Sequence, residues 1–464
     1  MGRRNAILGV VAIVAILAGV GAWAAFRRPT KLNVLLITVD TLRADHVGAY
    51  GYRRATTPNL DALAAESKVF RLAFSQAPET NPSLASVMTC LYPHETTVYR
   101  NFHLLPSKPR TLAEILAARG LATGAVVTNF SLRRGSGLER GFADYDDRMD
   151  DLATPKWEGI ERIAPKTTAA AVEWLRGHAG ERFFLWVHYM DPHAPYMPPP
   201  PYDTMFPVRD PGDTGPDITL PFLEGGLGIG GIPLYAQLGD HNDPRYYASQ
   251  YDGEIRFFDH WLGELLKEVR AQGLLDRTLI VVAADHGEGM GEYGYWFNHP
   301  EFLWNGLIHV PLVVRLPGEA RHEEIATPVA LVDVLPTILE VLSIEETPAS
   351  CRGRSLLHPA ARPIFSASYM FGLDESAIKS ALIANDRKLL FHGKHPMFFD
   401  LQRDFRETND LLRAGNVDEI ATARAMKDEL KRIAGEDSLH LGAPVNWDIL
   451  PESLKRLKAL GYVQ

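Results

Sequence analysis

Continuous apolar runs recur along the chain and alternate with segments of helical spacing. Residues 31–39, KLNVLLITV, end at Asp40, and GAVVT (124–128), FFLWVH (183–188), TLIVVAA (278–284) and PLVVRL (311–316) are of the same kind. Short runs without polar alternation predict strands buried on both faces, as in parallel sheets covered by helices. Helix-spaced apolar positions lie between them at 59–67, 83–89, 111–119, 167–177, 247–271 and 331–342. This alternation predicts an α/β fold: a doubly wound, mostly parallel sheet with helices on both faces. Ligands of such sheets sit beyond the carboxyl ends of the strands, where Asp40, the segment 188–193 and Asp285-His286 fall.

Two stretches break the pattern. Residues 192–244 contain PPPP at 198–201 and GGLGIGG at 225–231 with almost no periodicity. That marks a long loop, read either as a flap over the mouth of a site or as a variable insertion. After about residue 360, short alternating segments at 363–368, 380–384, 387–392 and 397–401 precede a helical stretch at 417–432, and 451–464 has the pattern of an amphipathic helical turn. A small C-terminal antiparallel sheet with a helix is expected there. The predicted organisation is an N-terminal segment 1–28, an α/β domain 29–358 with the loop insertion 192–244, and a C-terminal subdomain 359–464.

The N-terminus adds a location. Arg3 and Arg4 precede an uncharged, mostly aliphatic run at 6–26, and Arg27-Arg28 follow. About 20 apolar residues match the hydrocarbon thickness of a bilayer, so an uncleaved membrane anchor is expected. Ala22-Trp23-Ala24 also fits a small-x-small cleavage site, the signal-peptide alternative. Either way the rest of the chain is expected to be exported, periplasmic or extracellular, and anchored or secreted.

Composition narrows the function classes. With 464 residues, 46% hydrophobic and 23% charged, the chain is ordinary globular protein rather than disordered or fibrous. Lys+Arg number 48 against 57 Asp+Glu, a net charge of −9, with no basic stripe for nucleic acid. The two cysteines, Cys90 and Cys351, exclude a four-cysteine zinc site and a disulfide-stapled scaffold. They could pair if the chain is exported, but so far apart in sequence they are not expected to.

Chemistry concentrates in a few motifs: Asp40 in VDTLRADHVGAYGY, Thr80 in APETNPSLASVMTC, HYMDPH ending at His193, and AADHGEGMGEYG with His299 beyond it. Carboxylates and an imidazole at separate strand ends suit one divalent ion, and mixed oxygen and nitrogen donors favour manganese or zinc over calcium. Thr80, with Pro82 in the first helical turn, reads either as a plain N-cap or as a nucleophile whose adduct meets the helix N-terminal amides.

In this order the motifs resemble the sulfatase family of the alkaline phosphatase superfamily. The likeness runs from about Asn33 to Val463. It is carried by NVLLITVDTLRADHVGAYGY with TTPNLDALA, the Pro-Ser-x-Ala-Ser helix with LYPH, FLWVHYMDPHAPY, YDGEIRFFDHWLGELL, VVAADHGEGMGE, HVPLVVR and the terminal KALGYV. The resemblance implies an alkaline-phosphatase-like fold. It also implies Asp40, Asp285 and His286 as metal ligands with Thr80 as a further ligand, and His193 and His299 as groups that bind the ester oxygens and protonate the leaving group. Asn129 is implied as a substrate contact. Arg43 and His46 are expected to stabilise the first loop, and His188 to be a buried structural residue.

The chain departs from the family at the nucleophile. Formylglycine sulfatases carry Cys-x-Pro-x-Arg or Ser-x-Pro-x-Arg, whereas this chain has Thr80-Asn81-Pro82-Ser83-Leu84. Threonine cannot become that aldehyde, and a threonine ester has no second hydroxyl with which to expel sulfate. The expectation is a metal-dependent hydrolase or transferase of phosphate, phosphonate or sulfate esters, with Thr80 forming the covalent intermediate. Its substrate would be a small molecule or a lipid or glycan head group. The alternatives are a sulfuric ester hydrolase without formylglycine, and a non-catalytic binding protein of sulfatase fold. One ion is expected, because no Asp is followed by a His four residues on; a makeshift second site from Asp191, His193 and His299 is the alternative.

Overall fold

The computed structural model describes residues 32–149, 161–224, 227–370, 378–392 and 395–434. The apolar run at 6–26 and the terminal turn at 451–464 lie outside them. Among the described residues no helix is long and apolar enough to cross a membrane.

The main sheet is built from β1 (Asn33–Val39), β2 (Lys68–Phe70), β3 (Ala122–Val126), β4 (Asp144–Asp146), β5 (Phe183–Tyr189), β6 (Thr278–Ala284), β7 (Leu312–Arg315) and β8 (Glu323–Ile325). Their order across the eight-stranded sheet is β8-β2-β7-β6-β1-β5-β3-β4. β1, β5 and β6 are buried along their whole length, as runs without polar alternation require. β1 is central, parallel to β5 on one side and to β6 on the other. β7 is antiparallel to both neighbours, so one run predicted among the buried strands enters the sheet reversed. Burial on both faces is the same for either direction, so the run could not disclose it.

The longer helices around this sheet are α1 (Pro58–Ala64), α2 (Thr80–Thr89), α3 (Leu112–Ala117), α4 (Ala164–His178), α5 (Pro244–Ala271) and α6 (Val334–Val341). They form two packed groups: α4 lies along α5, which meets α1, while α2 meets α3 and α6. In α5 the buried positions Tyr247, Tyr251, Ile255, Phe258, Leu262 and Leu265 form one helical stripe. α2 is buried at every position, which excludes an ordinary surface helix and fixes its N-terminus rigidly against the sheet.

The loop at 192–244 is tied down at its centre. Phe222–Leu223 pairs with Ile232–Pro233, Trp296 N donates to Gly228 O at 2.8 Å, and the Tyr235 hydroxyl donates to Phe297 O at 2.5 Å. The C-terminal part forms an antiparallel sheet of β9 (Ile364–Ser368), β10 (Lys379–Ala384), β11 (Arg387–His392) and β12 (His395–Asp400), followed by α7 (Val417–Ala434). It is fastened to the main sheet's loops by the buried Lys388, which donates to Leu303 O at 2.6 Å and Asn305 Oδ1 at 2.9 Å. Contrary to the expectation from their separation, Cys90 and Cys351 form a disulfide. Cys90 ends α2, and the 351–353 turn docks on it, with Arg352 N donating to Cys90 O at 2.7 Å.

Candidate active site

Sheet register brings the acidic residues together. Val39 at the end of β1 is level with Ala284 at the end of β6, so the next residues, Asp40 and Asp285, emerge side by side. The ladder continues through them: Asp40 N donates to Tyr189 O at 2.8 Å and Asp285 N to Val39 O at 3.2 Å. Thr41 then turns the chain at φ 54°, a left-handed conformation that costs a β-branched residue strain, and its carbonyl is held by the Tyr251 hydroxyl at 2.6 Å. The turn after His286 is equally constrained. A Cβ on Gly287 would lie 2.0 Å from Gly306 O, and Gly287 N donates to Leu307 O at 2.7 Å.

Asp40, Asp285 and His286 are fully buried, and one donor atom from each lies within 4.8 Å of the others. Asp40 Oδ1 and Asp285 Oδ2 have no hydrogen-bond partner, and they face His286 Nε2 at 3.4 and 3.7 Å. His286 Nδ1 is 3.0 Å from Gly287 O; a carbonyl only accepts, so Nδ1 carries the proton and Nε2 offers a lone pair. Burial pushes the His286 imidazole down to about 4, which keeps it neutral. Two buried carboxylates and a neutral imidazole, their free donors convergent, suit a divalent cation. Without one, burial and the charge of Asp40 push the Asp285 carboxyl well up. At Asp40 burial also raises, but the His188 hydrogen bond and the neighbouring imidazoles outweigh it and hold that carboxyl low.

Thr80 reaches the same point from α2. It is the first helical residue rather than the cap, a position that belongs to Glu79. Its hydroxyl lies 3.4 Å from Asp40 Oδ2 and 3.5 Å from His286 Nε2. α2 is anchored by Ser83 Oγ donating to Asp285 O at 2.6 Å and Asn81 Nδ2 to Ser131 O at 3.0 Å. Glu79 does not cap the helix; its carboxylate accepts from Asn101 N at 2.7 Å, and burial raises it to about 7.

The imidazoles of His193 and His299 complete the pocket, their Nε2 atoms 3.4 Å apart. Each Nδ1 faces a carbonyl, Ala194 O at 2.6 Å and Pro78 O at 2.9 Å, so both Nε2 atoms point inward as acceptors or proton carriers. His299 stacks on His286 with ring centroids 4.3 Å apart, and burial, with the neighbouring imidazoles, lowers its pKa well below the usual value. Asn129 meets the same Asp40 oxygen as the Thr80 hydroxyl. Its amide donates to Asp40 Oδ2 at 2.9 Å and its Oδ1 accepts from Ser131 N at 2.9 Å.

Arg43 and His46 are engaged in loop structure. Arg43 donates to Glu288 O at 2.7 Å and pairs with Asp45 and Glu292, and His46 pairs with Asp252. His188 is buried, yet it does more than fill the core: its Nδ1 meets Thr38 Oγ1 at 2.8 Å and its Nε2 lies 3.6 Å from Asp40 Oδ2. Sequence reasoning also missed Glu288, buried and raised to about 8, and the strained Thr41. The position of each within a motif was the only signal.

Residues 32–344 match the family model described as Sulfatase. Similar proteins include the multifunctional alkaline phosphatase superfamily protein PehA of Trinickia caryophylli, 27% identical over 82% of this chain and 91% of its own length. The ulvan-active sulfatase of Formosa agariphila is 26% identical, over 77% of this chain and 68% of its own. Among solved structures, a phosphonate monoester hydrolase of Agrobacterium radiobacter has the same fold, with TM-score 0.70 at 20% identity, covering 90% of this chain and 100% of that one.

Proposed function

The chain belongs to the sulfatase family, and on that premise we propose that it hydrolyses an ester through a covalent adduct on Thr80. It is an ester hydrolase of that family, acting on sulfate or phosphonate esters; phosphate esters and transfer to another acceptor belong to the same proposal. The observation that carries it is the position of the Thr80 hydroxyl, spent on no cap and held 3.4 to 3.5 Å from Asp40 and His286.

Asp40, Asp285, His286 and Thr80 would hold one divalent cation, for which mixed oxygen and nitrogen donors favour manganese or zinc, with calcium as the alternative. Such an ion, when bound, supplies positive charge that polarises the ester oxygens and lowers the nucleophile's pKa. Thr80 Oγ1 attacks the central phosphorus or sulfur as its proton passes to the neutral Nε2 of His193 or His299, which hands it to the departing alkoxide of the leaving group. Water then attacks the same central atom, its proton passing to the same imidazole and from there to Thr80 Oγ1, which leaves as the restored hydroxyl. Release at the central atom needs no second hydroxyl on the nucleophile, which favours phosphorus esters for a threonine. Asn129 holds Asp40 in place and, when substrate is present, lies within reach of an ester oxygen.

The Cys90–Cys351 disulfide supports an oxidising compartment, in keeping with an exported chain carrying an N-terminal anchor or signal peptide. The test of the reaction is a panel of aryl sulfate, aryl phosphate, phosphate diester and phosphonate ester with Mn²⁺, Zn²⁺ or Ca²⁺, run beside Thr80→Ala. The expected result is turnover that falls at least about 10³-fold in the variant; full activity in Thr80→Ala would sink the mechanism.

A further inference from the structure

Behind Asp40 a line of polar side chains runs through the core across two neighbouring strands. Thr38 on β1 is level with His188 on β5, and Trp186 lies two residues before His188 on the same face. All three are buried. The Trp186 indole donates from Nε1 to Thr38 Oγ1 at 2.9 Å, and that oxygen lies 2.8 Å from His188 Nδ1. The far side of the ring faces the reacting centre. Its Nε2 has no hydrogen-bond partner and lies 3.6 Å from Asp40 Oδ2.

The proton order along this line follows from counting donors. An indole N–H only donates, so it occupies one lone pair of Thr38 Oγ1. Thr38 has a single hydrogen to give, and among the described residues His188 Nδ1 is the acceptor within its reach. A ring with hydrogen on Nδ1, neutral or charged, would leave that hydroxyl hydrogen buried without a partner. In the neutral ring it would also turn the lone pair of Nε2 towards a carboxylate. Both penalties vanish when Nε2 carries the hydrogen and directs it at Asp40.

The two oxygens of Asp40 divide their contacts accordingly. Oδ2 takes the Asn129 amide at 2.9 Å and faces His188, whereas Oδ1 has no hydrogen-bond partner and faces His286 Nε2 at 3.4 Å. At 3.6 Å the His188 N–H is too far for a full hydrogen bond, but its dipole favours the carboxylate in a low-dielectric interior.

Resting on the reading of Asp40 as a metal ligand, we propose that Trp186, Thr38 and His188 form a proton-ordered chain that positions this carboxylate. Thr38 fixes the His188 tautomer, the Nε2 hydrogen and Asn129 hold Oδ2, and Oδ1 is left turned to the cation. Thr38 and His188 are positioning residues that act through Asp40, and no step moves a proton along the chain.

The experiment uses the full-length protein with isotope-labelled histidine and compares wild type with Thr38→Val and Thr38→Ser. The first substitution keeps the side-chain shape and removes the hydroxyl; the second keeps the hydroxyl. NMR of the chelated protein reads the His188 tautomer, the resonance being identified by its loss in His188→Gln. Calorimetry reads the affinity for Mn²⁺ or Zn²⁺. Wild type and Thr38→Ser should show a protonated Nε2 and a bare Nδ1. Thr38→Val should lose that order and bind metal about 10–100-fold more weakly, with Thr38→Ser staying close to wild type. An unchanged affinity in Thr38→Val, or equal losses in both variants, overturns the proposal. A bare Nε2 in a wild type that binds metal tightly overturns the chain alone. An ordered tautomer in a wild type that binds no metal overturns the metal reading and, with it, the role given to the chain.

Discussion

Replacing Asp285 by Asn tests whether the centre is a repelling anionic pair built for a cation. Asp40 and Asp285 place buried oxygens within 4.8 Å, both without hydrogen-bond partners. At an effective dielectric near 20, two unit charges that far apart repel by about 3.5 kcal/mol. The metal-free protein relieves part of this by keeping a proton on Asp285, whose carboxyl burial and Asp40 push well up. A carboxyl raised in the folded state is stabilising below its unfolded pKa, and that contribution is lost as pH rises towards the folded value. Near neutral pH the metal-free protein should therefore carry a penalty of about 1–3 kcal/mol that asparagine lacks. For a chain of this size that is about 1–4 °C in Tm. The assay is thermal unfolding of protein and variant, each with chelator and with saturating Mn²⁺ or Zn²⁺, at several pH values. Wild type should gain stability from metal. The variant should be more stable than wild type without metal, less pH-dependent, and nearly indifferent to metal. If chelator leaves wild type unchanged, or if Asp285→Asn lowers the metal-free Tm by several degrees, the cluster is not a cation site held under charge strain.

Two further predictions follow from neighbouring contacts. Asn129→Ala removes the amide that donates to Asp40 Oδ2 at 2.9 Å, and metal affinity measured by calorimetry should fall about 10–100-fold; an unchanged affinity would show that Asn129 does not orient Asp40. Cys351→Ser opens the link between the end of α2 and the 351–353 turn; denaturant unfolding should show a loss of about 2–4 kcal/mol, and no loss would mean the turn stays docked without the bond.

Much of the fold was legible because burial on both faces leaves a simple trace. The runs at 278–284 and 183–188 became β6 and β5 with almost no shift in their ends, and the helical spacing at 247–271 marked α5 apart from its first turn. Direction was not legible: β7 carries the same apolar pattern as its neighbours yet runs antiparallel, because strand direction is set by the chain's return path. The cysteine pair escaped for a similar reason. Separation along the chain says nothing about which turns later meet across it, and Cys90 finds Cys351 only once α2 is buried and the 351–353 turn docks on its end.

At the site, the sequence by itself determined the chemical types and their strand-end positions: Asp40 after an apolar strand, Asp285-His286 after another, Thr80 before a helix, two further histidines in turns. Local residue preferences and periodicity suffice for that, since each signal lies within a few residues of the group it announces. What only the tertiary structure decided is their convergence. The level register of β1 with β6 sets the two carboxylates side by side. The buried α2 aims Thr80 at them instead of leaving it as a cap. His188 and Asn129, which looked structural and substrate-facing, both lie against Asp40. These are contacts between residues tens to hundreds of positions apart, fixed by sheet register and close packing, and no pattern along one chain encodes the distance between two strand ends.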